Sequence, residues 1–256
     1  MSADDLVRRA DVCAVAIAEC FRDDGELLAN PIGTIPMIGG RLARATFAPD
    51  LMMTDGEAQL VANDEAFAYP DGKVVEAYNP YRTMFDMVWW GRRHVIMGAS
   101  QIDRYGNQNF AAVGDYARPK AQLLGFRGAP GNTVNDPTSY WVPNHSPRVF
   151  VEKVDVVTGV GWDRAAAAGP GARFLDLRRV VTNLAVLDFA TPDHRLRLAS
   201  VHPGVTVDEV VAATGFDLVV DDDVAESRPP TPDELALLIE RIDPEGARYR
   251  EVPDPA

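Results

Sequence analysis

The sequence predicts an α/β fold: a mixed, largely parallel sheet with helices on both faces. Two observations carry this. Short apolar runs alternate with helical stretches through the first hundred residues, the pattern of strands joined by helical crossovers. A succession of apolar runs with few helices between them follows, which makes the sheet mixed rather than purely parallel. No internal repeat, low-complexity tract or linker interrupts the 256 residues, so one α/β domain over residues 1–256 is expected.

The elements follow in order. Leu6, Ala10, Cys13, Ala14, Ile17 and Phe21 recur at three- and four-residue steps, which predicts an amphipathic helix over 4–21, with Ser2 and Asp5 as its capping box. Asp23-Asp24-Gly25 is a turn signal and 26–30 a short strand. Pro36 suits the first turn of a helix running to about Thr46, and Ala48-Pro49-Asp50 ends it. Residues 51–54 form a buried strand whose far end carries Asp55-Gly56-Glu57. Residues 58–80 show no period and are expected as a loop. Residues 80–92 predict a helix with Met84, Val88 and Trp89 on one face. Strands are expected over 94–99, 108–113, 122–124, 147–157, 179–189 and 196–201. Thr206-Val-Asp-Glu209 and Thr231-Pro-Asp-Glu234 are capping boxes that open two further helices. Residues 221–230 form a polar connector, and the acids Asp221-Asp222-Asp223 belong to a solvated loop.

Composition narrows the function. With 25 basic and 38 acidic residues the formal charge is −13, and no basic cluster is present. Nucleic-acid binding is therefore not expected, because phosphate neutralisation needs clustered Lys and Arg. An anionic ligand must find a local basic pocket. No apolar run reaches the roughly 18 residues of a membrane span. Acids precede the arginines Arg8 and Arg9, the wrong order for a secretory signal, so a cytoplasmic protein is expected. Cys13 and Cys20 lie two turns apart on one helix, about 10 Å between Cα atoms, too far for a disulfide. Buried free thiols are expected. His94, His145, His194 and His202 lack metal-ligand spacing, and no metal site is expected.

Three motifs carry chemistry. The loop Gly125-Phe126-Arg127-Gly128-Ala129-Pro130-Gly131, with Asn132 after it, lets backbone N–H groups approach an anion such as a phosphate or a thioester oxyanion. A tight turn between strands needs the same glycines. Arg127 is placed for a carboxylate or phosphate, although an ordinary surface arginine would stand there equally well. Asp55 and Glu57, at the carboxyl end of a strand, have the chemistry of a nucleophile and a base, although acidic turns are common. The segment Gln101-Ile-Asp-Arg-Tyr-Gly-Asn107 reads as a hairpin turn with Asp103 accepting nearby amides. Trp89, Trp90, Trp141 and Trp162 read as core or interface.

The order of these pieces resembles the beta subunit of glutaconate-type class I CoA transferases over nearly the whole length. The residues that carry the resemblance are Phe47-Ala-Pro-Asp50, Gly98-Ala with Gln101-Ile-Asp and Tyr105-Gly-Asn107, Gly114-Asp-Tyr116 with Pro119-Lys120, and the loop after Gly125. Lys153-Val-Asp-Val-Val-Thr158 with Gly161-Trp162, and Thr214-Gly-Phe-Asp-Leu218, complete it. The resemblance implies that family's beta-subunit fold, an alpha subunit completing the active site, an assembly of two alpha and two beta chains, and an acyl-CoA substrate. Coenzyme A would enter as part of that substrate, with no separate cofactor. It also implies that Gly56, Gln101 and the loop residues Gly125, Phe126, Arg127, Gly128, Ala129, Gly131 and Asn132 lie near the substrate.

One departure matters. Aligned without gaps from Phe47, this chain has Gly56 where the family carries its acyl-accepting glutamate. Glycine cannot form the enzyme–CoA thioester. Asp55 or Glu57 would project differently, and a shift of about 1 Å already costs ~100-fold. The chain is more similar to the steroid-ring-cleaving hydrolase branch of the family. That resemblance implies hydrolytic opening of a cyclic enone or β-keto carboxyl-CoA, with the general base on the alpha subunit. A CoA transferase using Asp55 or Glu57, and a non-catalytic scaffold subunit, are the competing expectations.

Overall fold

The computed structural model describes residues 7–54, 59–62 and 73–254. The first helix, α1 (Arg9–Ala18), continues as a tighter turn to Phe21. It begins where the Arg8 N–H donates to Asp11 Oδ2 at 2.8 Å, later than the apolar spacing predicts, and the Ser2–Asp5 capping box lies outside the described residues. Strand β1 (Leu28–Pro31) follows the expected turn, which holds Asp23 and Gly25 at positive φ. Helix α2 (Thr34–Ala45) starts after Gly33, with Pro36 in its first turn. It packs tightly on α1: a Cβ on Gly39 would lie 2.5 Å from Ile17 Cγ2.

Strands β2 (Met52–Thr54), β3 (Gln59–Val61) and β4 (Val75–Tyr78) come next, so part of the expected 58–80 loop is paired strand. Helix α3 (Tyr81–Met87) is shorter than predicted. Val88, just beyond it, is buried while Trp89 is 73% exposed, so the two do not share a buried face; the Met84 side chain lies outside the described set. Strand β5 (Arg93–Gly98) leads to a small hairpin of β6 (Gln101–Ile102) and β7 (Gln108–Asn109). Its turn is built as expected. Asp103 Oδ1 accepts the Tyr105 and Asn107 N–H groups at 3.0 and 3.1 Å, and Gly106 sits at φ +80. A second small ribbon pairs β8 (Ala112–Val113) with β9 (Ala121–Gln122).

The largest differences from expectation follow the glycine loop. Helix α4 (Ala129–Asn135) feeds β10 (Pro137–Val142), a central strand with no counterpart among the predicted elements. The expected strand over 147–157 is irregular chain with a single bridge at Phe150. Arg148, Glu152 and Lys153 interrupt its apolar residues, and its backbone groups bond to the end of β6 at Ile102, to Gly215 and within its own turn, not along a strand of the main sheet. Helix α5 (Trp162–Ala168) precedes a hairpin, β11 (Asp176–Thr182) and β12 (Ala185–Asp188), which begins before the single strand expected over 179–189 and turns inside it. Strand β13 (Arg197–Val201) and helix α6 (Val207–Ala212) fall where predicted. The first part of the expected connector is instead the end of β14 (Val219–Glu226), an edge strand whose acids face solvent, and only residues 227–230 remain a connector. Helix α7 (Pro232–Leu237), its continuation as a wider turn to Ile242, and α8 (Ala247–Glu251) complete the chain.

Among the described residues ten strands form one sheet in the order β14-β13-β12-β11-β10-β5-β1-β2-β3-β4. Strands β11, β10, β5, β1 and β2 run parallel, flanked by antiparallel pairings at β12 and β3. Alternate side chains feed opposite layers, as the two-residue strand period requires. Ile96, Trp141, Val181 and Val186 pack with α1, α2 and the chain around Leu238–Ile242. Val95, Met97, Tyr140, Val142 and Leu187 pack on the other face with Ile102, Ala129, Phe150 and Ala165. Helices therefore cover both faces, as predicted. Cys13 and Cys20 are buried and free in the first layer.

Candidate active site

In a parallel sheet, loops gather at the carboxyl ends of the strands, and ligands bind there. Here that edge holds a cleft of about 420 Å³. Ile32 and Gly33 follow β1, Gly98 to Ser100 end and follow β5, and Trp141 and Pro143 close β10. Phe110, Leu124 and Met97 add apolar wall, and Arg127, Gly128, Ala129 and Asn132 form the side built by the glycine loop and α4. Glu251 reaches in from α8.

The loop has two jobs. Gly125 at φ +87 and Arg127 at φ +46 turn the chain from β9 into α4, which Pro130 opens in its first turn. The exposed Arg127 side chain makes no hydrogen bond or ion pair among the described residues, so its five donors are open to a ligand. The Gly128 N–H is likewise uncommitted among the described residues, while its carbonyl accepts from Asn132 N–H at 2.9 Å.

Asn132 is held from below. Its Oδ1 accepts from Arg93 Nη2, and its Nδ2 contacts Met97 Sδ at 3.1 Å. Arg93 also pairs with Asp136 at 3.0 Å and donates to Asn30 at 3.2 Å. Burial pushes the Asp136 carboxyl up to about 6 against the pull of Arg93. The reason is visible: Arg93 Nη2 is shared with Asn132, and Asp136 Oδ1 has no donor among the described residues.

Glu251 is positioned by a buried ionic knot. Arg248, one turn earlier on α8, is fully enclosed and donates to Asp11 of α1 at 2.6 Å and Asp243 at 2.8 Å. That knot pins α8 across α1 and α2 and points the next turn at the cleft. Glu251 Oε2 then accepts the Ile35 N–H at 2.8 Å, and Oε1 accepts Trp141 Nε1–H at 3.1 Å.

Four of the expected residues, Arg127, Gly128, Ala129 and Asn132, thus meet in one cleft. Among the described residues, the other expected ones, Gly125, Phe126, Gly131 and Gln101, do not line it. Gly125 shapes the turn, and Phe126 lies edge-on to Tyr116 with centroids 6.0 Å apart. Gly131 admits Val88, since a Cβ there would lie 2.4 Å from Val88 Cγ1. The Gln101 amide is committed to Asp155 and Asn109 at 2.9 and 2.7 Å. Asp55, Gly56 and Glu57 lie outside the described residues; β2, which leads to them, runs parallel to β1. Sequence reasoning missed Glu251, Ser100, Met97, Gly33 just after β1 and the cleft role of Gly98 at the end of β5, and assigned Trp141 only to core or interface. A small residue closing each of two neighbouring strands was the available signal.

Other polar groupings have structural explanations. Asp24, His94 and Ser139 form a row with contacts of 2.7 and 3.0 Å in the order of a catalytic triad, but all three side chains are enclosed and cannot meet a substrate. A second hollow of about 470 Å³ between α1 and β11–β14 has several of its charges paired internally, Glu19 with Arg22 and Arg228. Among the described residues no three His, Cys, Asp or Glu side chains are grouped as metal ligands, and no helix is long and apolar enough to cross a membrane.

Comparison with known proteins identifies this scaffold. The family profile described as Coenzyme A transferase matches residues 85–213. The Cholesterol ring-cleaving hydrolase IpdB subunit of Mycobacterium tuberculosis is 51% identical over 245 residues, covering 95% of this chain and 98% of the relative. The chain belongs to the coenzyme A transferase family. Within that family, a glutaconate CoA-transferase chain of Acidaminococcus fermentans is 30% identical, with 95% of each chain covered. The crystal structure of Rhodococcus jostii IpdAB superimposes with a TM-score of 0.93 at 50% identity, covering 96% of this chain and 99% of that one. The motif resemblance and the fold it implied are therefore correct. In this coenzyme A transferase family chain the candidate cleft sits on a mixed, largely parallel sheet.

Proposed function

We propose that this chain is the beta subunit of a heteromeric hydrolase that opens the ring of a cyclic enone or β-keto carboxyl-CoA from steroid breakdown, with cholesterol as the parent sterol. The observation that carries this reading is the 51% identity to a cholesterol ring-cleaving hydrolase subunit over 95% of the chain, against 30% to a glutaconate CoA-transferase chain. Gly56 in place of the acyl-accepting glutamate supports it, because covalent transfer through that position has no nucleophile.

The cleft chemistry fits. Water adds to the ring ketone, the carbon–carbon bond beta to the thioester breaks, and its electron pair passes to the thioester as an enolate, which is then protonated on carbon. No covalent acyl-enzyme is needed, only activated water and donors for the developing negative charge. The apolar wall of Met97, Phe110, Leu124 and Trp141 suits an alicyclic ring, Arg127 a substrate carboxylate, and the Gly128 N–H an oxyanion. The general base comes from the alpha subunit. We further place the enzyme in the cytoplasm as a heterotetramer of two alpha and two beta chains, with coenzyme A present only as part of the substrate.

The test is product analysis of the co-expressed pair given a cyclic β-keto acyl-CoA. Ring opening with a mass gain of one water is expected. Exchange of CoA between acids, with a CoA thioester formed on Asp55 or Glu57 that borohydride reduces and so marks, would establish transfer instead. Normal turnover after substitutions at Arg127 and around Gly56 would reduce the chain to a scaffold.

A further inference from the structure

We infer that Glu251 is a specificity residue that fixes which way round an anionic acyl group enters the cleft; this rests on the hydrolase reading above. The cleft is built with two places an anion would choose. One is Arg127, exposed and unpaired among the described residues. The other is the start of α2, a twelve-residue helix whose first turn adjoins Ile32 and Gly33 of the cleft wall. A helix N-terminus carries uncommitted N–H groups and a partial positive charge, and it attracts carboxylates and phosphates. The N-cap, Gly33, has no side chain with which to satisfy it.

Glu251 fills that second place from within the molecule. Its carboxylate takes the Ile35 N–H at 2.8 Å and the indole N–H of Trp141 at 3.1 Å, and no cation pairs with it among the described residues. Two consequences follow for a ligand. The α2 end of the cleft is a full negative charge set against a partial positive one, so it repels an incoming carboxylate. The indole N–H is also spent, so Trp141 offers the ring only an apolar surface. A substrate carboxylate is left with a single favourable partner, Arg127. The scissile bond is thereby held in one orientation relative to the base supplied by the alpha subunit.

Removing the charge reopens the second place. Substrate bound backwards is unreactive but occupies the enzyme, and such binding lowers kcat and KM by the same factor while leaving kcat/KM unchanged. The assembled alpha–beta enzyme carrying Glu251→Ala or Glu251→Gln is therefore compared with wild type by steady-state kinetics, with sodium acetate as an anion probe. A parallel fall of about tenfold in kcat and KM is expected for the alanine variant, and a smaller one for glutamine. Acetate should bind and inhibit competitively at the α2 end of Glu251→Ala but not there in wild type.

A fall in kcat/KM at unchanged KM would overturn the inference, because Glu251 would then take part in the chemistry. Unchanged constants in a folded Glu251→Gln enzyme would also overturn it and leave Glu251 a purely structural group. If Glu251→Ala fails to assemble, Glu251→Gln carries the test. If wild type opens no ring, the hydrolase reading has failed instead, and calorimetric acetate binding by the variant against wild type still decides whether the second seat exists.

Discussion

The Asp136 carboxylate lies 3.0 Å from the Arg93 guanidinium with both side chains shut away from solvent, directly beneath the Asn132 amide that lines the cleft. A buried pair of this kind is weak in net terms, because desolvation nearly cancels the attraction, yet it is expensive to break from one side. Arg93→Met should cost about 3–5 kcal/mol by leaving a buried carboxylate without its cation. Replacing both partners, Arg93→Met with Asp136→Leu, should recover most of that loss. Urea denaturation of the two variants and wild type checks it.

Arg127 has no structural duty for its side chain, so its removal should leave the fold intact and damage only binding. Arg127→Ala is expected to lower kcat/KM of the assembled enzyme by about 100-fold, the scale of a lost charge-assisted hydrogen-bonded contact. Arg127→Lys should recover only part, since an ammonium cannot reproduce a two-pronged grip. Unchanged kcat/KM in Arg127→Ala would take the residue out of the site.

Acid stability is set in part by histidines that burial keeps neutral. Burial pushes His202 down to about 4 and His145 to about 3, and His94 is also lowered. The unfolded chain takes up these protons near pH 6.5, whereas the folded chain resists them. Their stabilisation is therefore full above about pH 6.5 and is lost as pH falls toward the folded values, by about 1.4 kcal/mol per pH unit for each group. Asp136, pushed up to about 6, works in the opposite sense over part of this range, because its folded form holds the proton more tightly. Denaturation curves between pH 4.5 and 7 should show stability falling on acidification. His202→Gln should flatten the slope by about one proton.

Gly39 is a helix-interior glycine, where alanine normally adds stability. Here the added Cβ would meet Ile17 Cγ2 at 2.5 Å and the Ala14 carbonyl oxygen at 2.7 Å. Gly39→Ala should therefore destabilise by about 1–3 kcal/mol through forced separation of α1 and α2. A rise in Tm would show that the two helices can move apart freely.

What could be read in the chain was what local rules control. The helix over 34–45, the strand over 93–98, the Asp103 turn and the two Thr-x-x-Glu caps announce themselves through neighbours three or four residues away. Strand β10 did not: Thr138 and Ser139 are polar, and they are buried only because β5 and β11 flank them on both sides. Strand β14 was hidden for the opposite reason. Its acids occupy an exposed edge, where charge is tolerated and discourages unwanted pairing. The glycine loop and Arg127 were legible because the motif is contiguous. Glu251 was not, since its significance depends on Ile35 and Trp141, more than a hundred positions away.

The two thiols of α1 and the tighter turn that continues it offer a use of their own. Enclosure pushes Cys20 up to about 11 and Cys13 higher still, so neither forms appreciable thiolate at neutral pH. Alkylating reagents should pass the native molecule by and react only when the first helix lifts from the strands. The speed of labelling then becomes a clock for that opening, readable in the unmodified protein without an engineered probe.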